Sequence, residues 1–449
     1  MAAPPVVAPA QTSRDAAKGA EAAPTILRLE RRNIEVNGRE ASVYGIRQAD
    51  GTFGLKTEVG KPFRVRVENG IGEPSLIHWH GMTPPWQQDG VPGISGPPIP
   101  AGGSADYDFP LRFGGTFWMH SHQGLQEQLL MAAPLIIRDP RDRANEQEVV
   151  IMLADFSFTP PDAIFANLKK SGSMARMAKP AAGAAAPMAS MAGMKMAGVA
   201  RSKDAAPPDL NDVKYDAFLA NDRTLADPEI VKVEPGGRVL LGIINSSSMS
   251  AFHIQLGALD GELIAVDGFE IEPVRGREFP VAVAQRLDIR LSLPPGPGGY
   301  PILAQLEGER SRAGIVLVAG GALVARIADA ADAPSPALTL DLERALRAKK
   351  PLPQRKADRV HTLNLTGQMA GYVWSINGVP WNKDVPPLPV AGGERVELVF
   401  VNRTPMPHPM HLHGHEFEVV EIDGERFAGA VRDTILVPRD GGSLWRSTR

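Results

Sequence analysis

The chain has 449 residues, which at ~150 residues per domain corresponds to about three domains. An apolar fraction of 43% with 22% charged residues excludes a disordered chain, and 48 basic against 51 acidic residues argues against nucleic acid or an anionic membrane as partner. Cysteine is absent, which removes disulfides, thiolate metal sites, iron–sulfur clusters and cysteine nucleophiles, and no apolar run approaches the ~18 residues of a membrane span.

Residues 1–24 are rich in Ala and Pro and are expected to be a disordered segment; they lack the basic start and unbroken apolar core of a signal peptide. From Thr25 short β-rich runs recur between Gly, Pro, Asn and Asp. Phe63, Val65 and Val67 alternate with Arg64, Arg66 and Glu68, the period of a half-buried strand. Many short strands with frequent turns predict an all-β sandwich or barrel. The first unit is expected over 25–144 and the second over 145–330. The latter starts at the apolar run 148–158 and is interrupted by a low-complexity insertion at 171–208. A Pro- and Lys-rich linker, 331–359, with a short helix near LTLDLERALRA, leads to a third unit over 360–449. The first and third units share a pattern, a strand followed by a short loop and a histidine pair, which suggests one fold used more than once.

The insertion carries Met174, Met177, Met188, Met191, Met194 and Met196. It reads either as a flexible Ala-rich stretch or as a soft thioether surface for Cu(I), since sulfur ligands select Cu(I) over harder ions.

Histidine spacing is the most informative feature. Ten histidines scattered at random over 449 positions would give about 0.2 His-x-His pairs, yet four are present: His78/His80, His120/His122, His411/His413 and His413/His415. Residues i and i+2 of a strand face the same side about 6.5–7 Å apart, so each pair aims two imidazoles into one space. Imidazole suits Cu, Zn, Fe and Ni. A zinc hydrolase is disfavoured, because it calls for a carboxylate ligand or H-E-x-x-H on a helix, and neither occurs. The pairs together point to a multinuclear, nitrogen-rich centre. His253, His361 and His415 read as non-ligands.

HWHG (78–81), WMHSH (118–122) and HPMHLHGH (408–415) resemble three of the four copper motifs of the multicopper oxidases, the family of laccases and bacterial copper-resistance oxidases. WQQDGVPGISGPPIPAGG (86–103) and WSINGVPW (374–381) are similar in context, and the Met-rich insertion resembles the copper-resistance branch. The resemblance implies three cupredoxin-like Greek-key β-sandwiches. It further implies a three-copper cluster that reduces O2 to water and a type 1 copper that takes electrons from Cu(I) or a phenol. It assigns His78 and His411 to type 2 copper, His80 with His120 and His122 with His413 to the two type 3 coppers, and His408 to type 1. Asp89 is implied as a proton donor or hydrogen-bond partner of cluster-bound water, although Asp89–Gly90 is also an ordinary turn dipeptide. A periplasmic or exported location is implied too.

The fourth motif, H-C-H with a later His and Met, does not occur beyond the run 432–438. The type 1 site thus lacks its Cys, one His and its Met, and each type 3 copper keeps two of three ligands. The expectation is a C-terminally truncated or frame-slipped oxidase with an incomplete third sandwich, a tail (LWRSTR) that does not continue as a strand, unpaired sheet edges and no oxidase activity of its own. The competing expectation is a non-catalytic copper-sequestering protein on the same scaffold.

Overall fold

In the computed structural model the residues described are 23–140, 145–174, 210–369, 371–382, 384–439 and 442–448, with backbone alone for 171–174 and 442–448. Residues 1–22 and Met177, Met188, Met191, Met194 and Met196 lie outside them. Met174 ends the helix Pro161–Met174, which sequence analysis did not assign; Pro161 at its first position and Asp162 in its first turn favour its start.

Six sheets make up the described residues, two to each of three cupredoxin-like β-sandwiches, and none closes into a barrel. In the first sandwich, Arg39–Gln48, Thr25–Val36, Pro62–Asn69 and Ser104–Pro110 form one sheet in that order. Leu55–Glu58, Ala132–Arg138, Gly115–Ser121 and Ile77–His80 form the other. The alternation read in the sequence is realised in Pro62–Asn69. Phe63, Val65 and Val67 enter the core, while Arg64 and Arg66 pair with Asp108 and Asp106 on the neighbouring strand. The middle sandwich has a six-stranded and a five-stranded sheet around the largest apolar core.

The third sandwich departs from expectation at its end. Gly442–Thr448 is a strand, antiparallel to Arg395–Asn402 on one side and to Phe417–Ile422 on the other. The tail therefore does continue as a strand, because two neighbours there offer open backbone donors and acceptors. The opposing sheet has two strands, His408–His411 and Thr434–Val437. Val360, Val373, Ile376, Val379, Trp381 and Val390 of this unit are exposed.

The strand Gly115–Ser121 is buried throughout because both its faces are covered. Phe117 and Met119 point into the core of the first sandwich, and Trp118 packs against Met152 and Ile244 of the middle one. The face bearing Thr116, Trp118 and His120 is thus turned toward the junction between units.

Candidate metal centre

Strand pleating places the first four histidines. On Ile77–His80 the residues Ile77 and Trp79 are core residues, so His78 and His80 project from the opposite face. The antiparallel register sets His78 directly across from His120. His122 follows the end of the second strand and is held by its amide bond to the Leu76 carbonyl. From the third sandwich, the strand His408–His411 delivers His411 opposite Thr434, and His413 follows two residues later, in the turn after the strand.

Six of these imidazoles meet at the junction of the first and third sandwiches. Ring centroids of His80 and His411 are 3.8 Å apart, those of His78 and His413 4.1 Å, and those of His122 and His413 5.1 Å. Possible ligand atoms of His78, His80 and His120 lie within 4.8 Å of one another, as do those of His78, His411 and His413.

The outer hydrogen bonds decide which nitrogen of each ring is free. His78 Nδ1–H donates to the Asp89 carbonyl at 2.7 Å, and His411 Nδ1–H to the Asp433 carbonyl at 2.9 Å. Both Nε2 atoms are left as lone pairs, and they face each other at 3.3 Å. The Thr434 hydroxyl donates to Asp433 Oδ1 and accepts from His80 Nε2 at 3.1 Å, while His120 Nδ1 lies 3.2 Å from Glu127 Oε2. That leaves His80 Nδ1 as a lone pair facing His120 Nε2 at 3.4 Å, whereas buried His120 Nδ1 makes no hydrogen bond and its tautomer is not set from outside. Two lone pairs at such distances repel unless a cation lies between them. The donor set therefore fits a metal that accepts neutral imidazole, and the tautomers fixed at His78, His80 and His411 are those a ligated histidine requires.

Electrostatics agree. Burial, reinforced by neighbouring histidines, lowers His78 and His120 to about 3 and His122 to about 2. Burial also lowers His80 and His413. These five rings are neutral at pH 7 and available as ligands.

Asp89 lies at the centre rather than in a free turn. It is buried, its Oδ2 accepts from His413 Nδ1 at 3.0 Å, and its Oδ1 accepts no hydrogen bond. Burial would raise its carboxyl, but the bond from His413 and the proximity of His78, whose Nδ1 lies 3.3 Å from Oδ1, prevail and hold it well below the usual range. Gly90 follows with φ +75°, and a Cβ there would collide with the Ile77 carbonyl, so the Asp–Gly turn is pressed onto the His78 strand.

His408 stands apart. It sits at the far end of its strand from His411, bonds Thr404 Oγ1 at 2.6 Å and packs edge-on to Trp374 at 5.3 Å. Among the described residues no candidate metal group includes it. With no cysteine in the 449 residues, this position does not fit a thiolate-bound copper. His415 is exposed and bonded to the His413 carbonyl, His361 is bonded to the Pro389 carbonyl, and His253 pairs with Glu278.

Sequence reading missed Glu127, Asp433 and Thr434. Glu127, with a side chain 23% exposed, is pushed up to about 7 by burial. Asp433 is held well below the carboxylate range: burial would raise it, but the adjacent Arg286 prevails. None of the three carries a spacing signal, since each meets its histidine only through sheet pairing or a local turn.

Three family models described as multicopper oxidase match residues 29–142, 147–324 and 354–446. Multicopper oxidase MmcO of Mycobacterium tuberculosis is 30% identical over 396 residues, 85% of this chain and 73% of that protein. The chain belongs to the multicopper oxidase family. Among other relatives, a copper resistance protein A homolog of Pseudomonas syringae pv. tomato is 28% identical over 83% of this chain and 79% of its own length. The fold matches the multicopper oxidase Fet3p, which functions in iron import, with a TM-score of 0.74 at 17% identity over 94% of this chain and 84% of that one. It also matches a laccase from Botrytis aclada, with a TM-score of 0.73 at 20% identity over 94% and 82%. As a multicopper oxidase the chain is of an oxidoreductase family whose cofactor is copper. No described helix is long and apolar enough to cross a membrane.

Proposed function

We propose that His78, His80, His120, His122, His411 and His413 hold the copper ions of an O2-reducing centre whose lineage activity is oxidation of Cu(I) or phenolic donors. The observation that carries this reading is the facing lone pairs of His78 and His411, 3.3 Å apart and set by outer hydrogen bonds, with His80 Nδ1 and His120 Nε2 3.4 Å apart beside them. Pairing of His78 with His411 and of His80 with His120 agrees with the type 2 and type 3 assignments, and His122 with His413 completes the set. Bound copper supplies one-electron steps to and from oxygen at neutral imidazole ligands.

The chain's own residues hold that centre in place. Asp89 fixes His78 through its carbonyl and His413 through its carboxylate, and so ties ligands of two sandwiches to one residue. Its unbonded Oδ1 is the group assigned to hold water or a proton at the centre. His408 belongs to the electron-entry position, but with no thiolate in these residues we derive no electron path through it. These 449 residues, in this reading, bind copper without sustained O2 consumption. The boundaries near 144 and 331–359, supported by the three family matches, and an exported, periplasmic location belong to the same proposal.

The test is Cu(II) titration of metal-free protein followed by electron paramagnetic resonance, with oxygen uptake measured on Cu(I) and a phenol. Copper bound at imidazole nitrogen with negligible uptake is expected. Failure to bind Cu(II) at nitrogen refutes the centre, and rapid turnover refutes the missing electron entry. The sequestration reading draws support from the methionine run. It predicts stoichiometric Cu(I) binding that is lost when the six methionines are replaced by Leu.

A further inference from the structure

The middle sandwich contributes none of the six histidines, yet its side chains reach the residues around the centre: Asp267 and Gln285 bond the backbone of Thr434, and Arg286 makes the largest set of contacts. Arg286, the first residue of the strand Arg286–Ser292, is fully buried and uses all five of its N–H donors. Nε donates to the Thr116 carbonyl at 3.2 Å, on the strand that carries His120. One terminal nitrogen donates to the Ala284 carbonyl at 3.0 Å and to Asp433 Oδ1 at 2.8 Å. The other donates to the Asp267 carbonyl at 3.0 Å and to Asp433 Oδ2. Three sandwiches thus converge on one guanidinium.

Asp433, gripped at both oxygens, faces two of the histidines. Its Oδ1 lies 3.4 Å from His80 Nε2 and 3.5 Å from His411 Nδ1, and its carbonyl accepts the His411 Nδ1–H bond. Gly81, immediately after His80, leaves the room: with φ +87°, a Cβ there would collide with Arg286 Nη2 and lie 2.8 Å from Asp433 Oδ2. A fully buried Arg–Asp pair gives little net stability over apolar residues of the same volume, because both charges lose their hydration. Stability therefore does not account for placing it against two ring nitrogens, whereas orientation does.

We propose that Arg286 is a positioning residue for copper: through Asp433 and Thr116 it locks His80, His411 and the His120 strand in ligand geometry, so that the middle sandwich sets the metal centre of the other two. This inference rests on the copper reading above.

The experiment uses the full chain, metal-free, with Cu(II) as probe and with Arg286→Met, Asp433→Asn and Arg32→Met as variants. Arg32 is the control because its ion pair with Asp222, at 2.8 and 2.9 Å, also joins the first and middle sandwiches but touches no histidine. Arg286→Met and Asp433→Asn should each weaken Cu(II) binding about 10–100-fold and change the copper hyperfine coupling. Arg32→Met should leave both unchanged even where it lowers Tm, and Arg286→Lys should recover part of the affinity. Asp433→Asn, nearly isosteric, decides the matter if Arg286→Met does not fold. Wild-type affinity and spectrum in Arg286→Met or, failing its folding, in Asp433→Asn overturn the clamp alone. A wild-type chain that binds no Cu(II) overturns the copper reading and the clamp with it.

Discussion

Acidification of the metal-free protein probes the centre without any assumption about turnover. His120 is lowered by burial from the ordinary 6.5 to about 3. At 1.36 kcal/mol per unit, protonating it in the folded state costs on the order of 5 kcal/mol more than in the unfolded chain. Between pH 6.5 and 3 the unfolded chain carries that proton and the folded chain does not. The stability associated with the neutral ring is therefore fully present above pH 6.5 and is lost as pH falls toward 3. Glu127, raised from 4.5 to about 7, acts with the opposite sign between those values, as do the buried carboxyls of Asp155 and Glu343, which burial also raises. A single profile mixes these effects, whereas the difference between wild type and His120→Gln, taken in a Glu127→Gln background to remove the carboxyl 3.2 Å from the ring, cancels the distant carboxyls and isolates the imidazole. Urea denaturation of both proteins, metal-free, should be compared from pH 7.5 to 4.5. The wild-type advantage should shrink by about 1.4 kcal/mol per pH unit below 6.5, roughly 3 kcal/mol by pH 4.5. Parallel profiles would refute a buried, neutral His120 and with it the preformed ligand set.

Other consequences are open to simple assays. Because His78, His120 and His122 are already neutral at pH 7, Cu(II) binding there should release almost no protons from them, which calorimetry in buffers of differing ionisation enthalpy reads directly. Gly81→Ala forces φ +87° on an alanine and pushes a methyl against the Arg286–Asp433 pair. The cost should be about 2–5 kcal/mol from left-handed strain and overpacking together, visible as a drop in Tm. Asp89→Asn removes the carboxylate that accepts from His413 Nδ1 at 3.0 Å, and Cu(II) affinity should fall about 10-fold or more in a chelator competition. The copper-loaded chain should lack the intense thiolate-to-copper absorption of a blue site, which a visible spectrum checks.

Much of the fold and most of the centre were legible in the residues. Strand period and turn composition specify an all-β chain because pleating and turn dihedrals act over a few residues, and the alternation at Phe63–Val67 survives intact in the structure. The His-x-His pairs announce ligands for the same reason: a strand places i and i+2 on one face, so spacing alone predicts that His78 and His80 act together. Asp89 was legible as a candidate only through its resemblance, since an Asp–Gly turn looks the same whether or not a histidine rests on it.

What stayed out of reach depends on contacts between distant strands. No local pattern distinguishes Arg286 from any other strand arginine, and its meaning arises only where three sandwiches bring Thr116, Asp267 and Asp433 around it. The closing strand Gly442–Thr448 carries little strand character in its residues and forms because two neighbours present unpaired backbone on either side. Local sequence therefore settles which side chains share a face. The packing of units settles which faces meet, which ring nitrogen is left free, and how low burial drives its proton affinity.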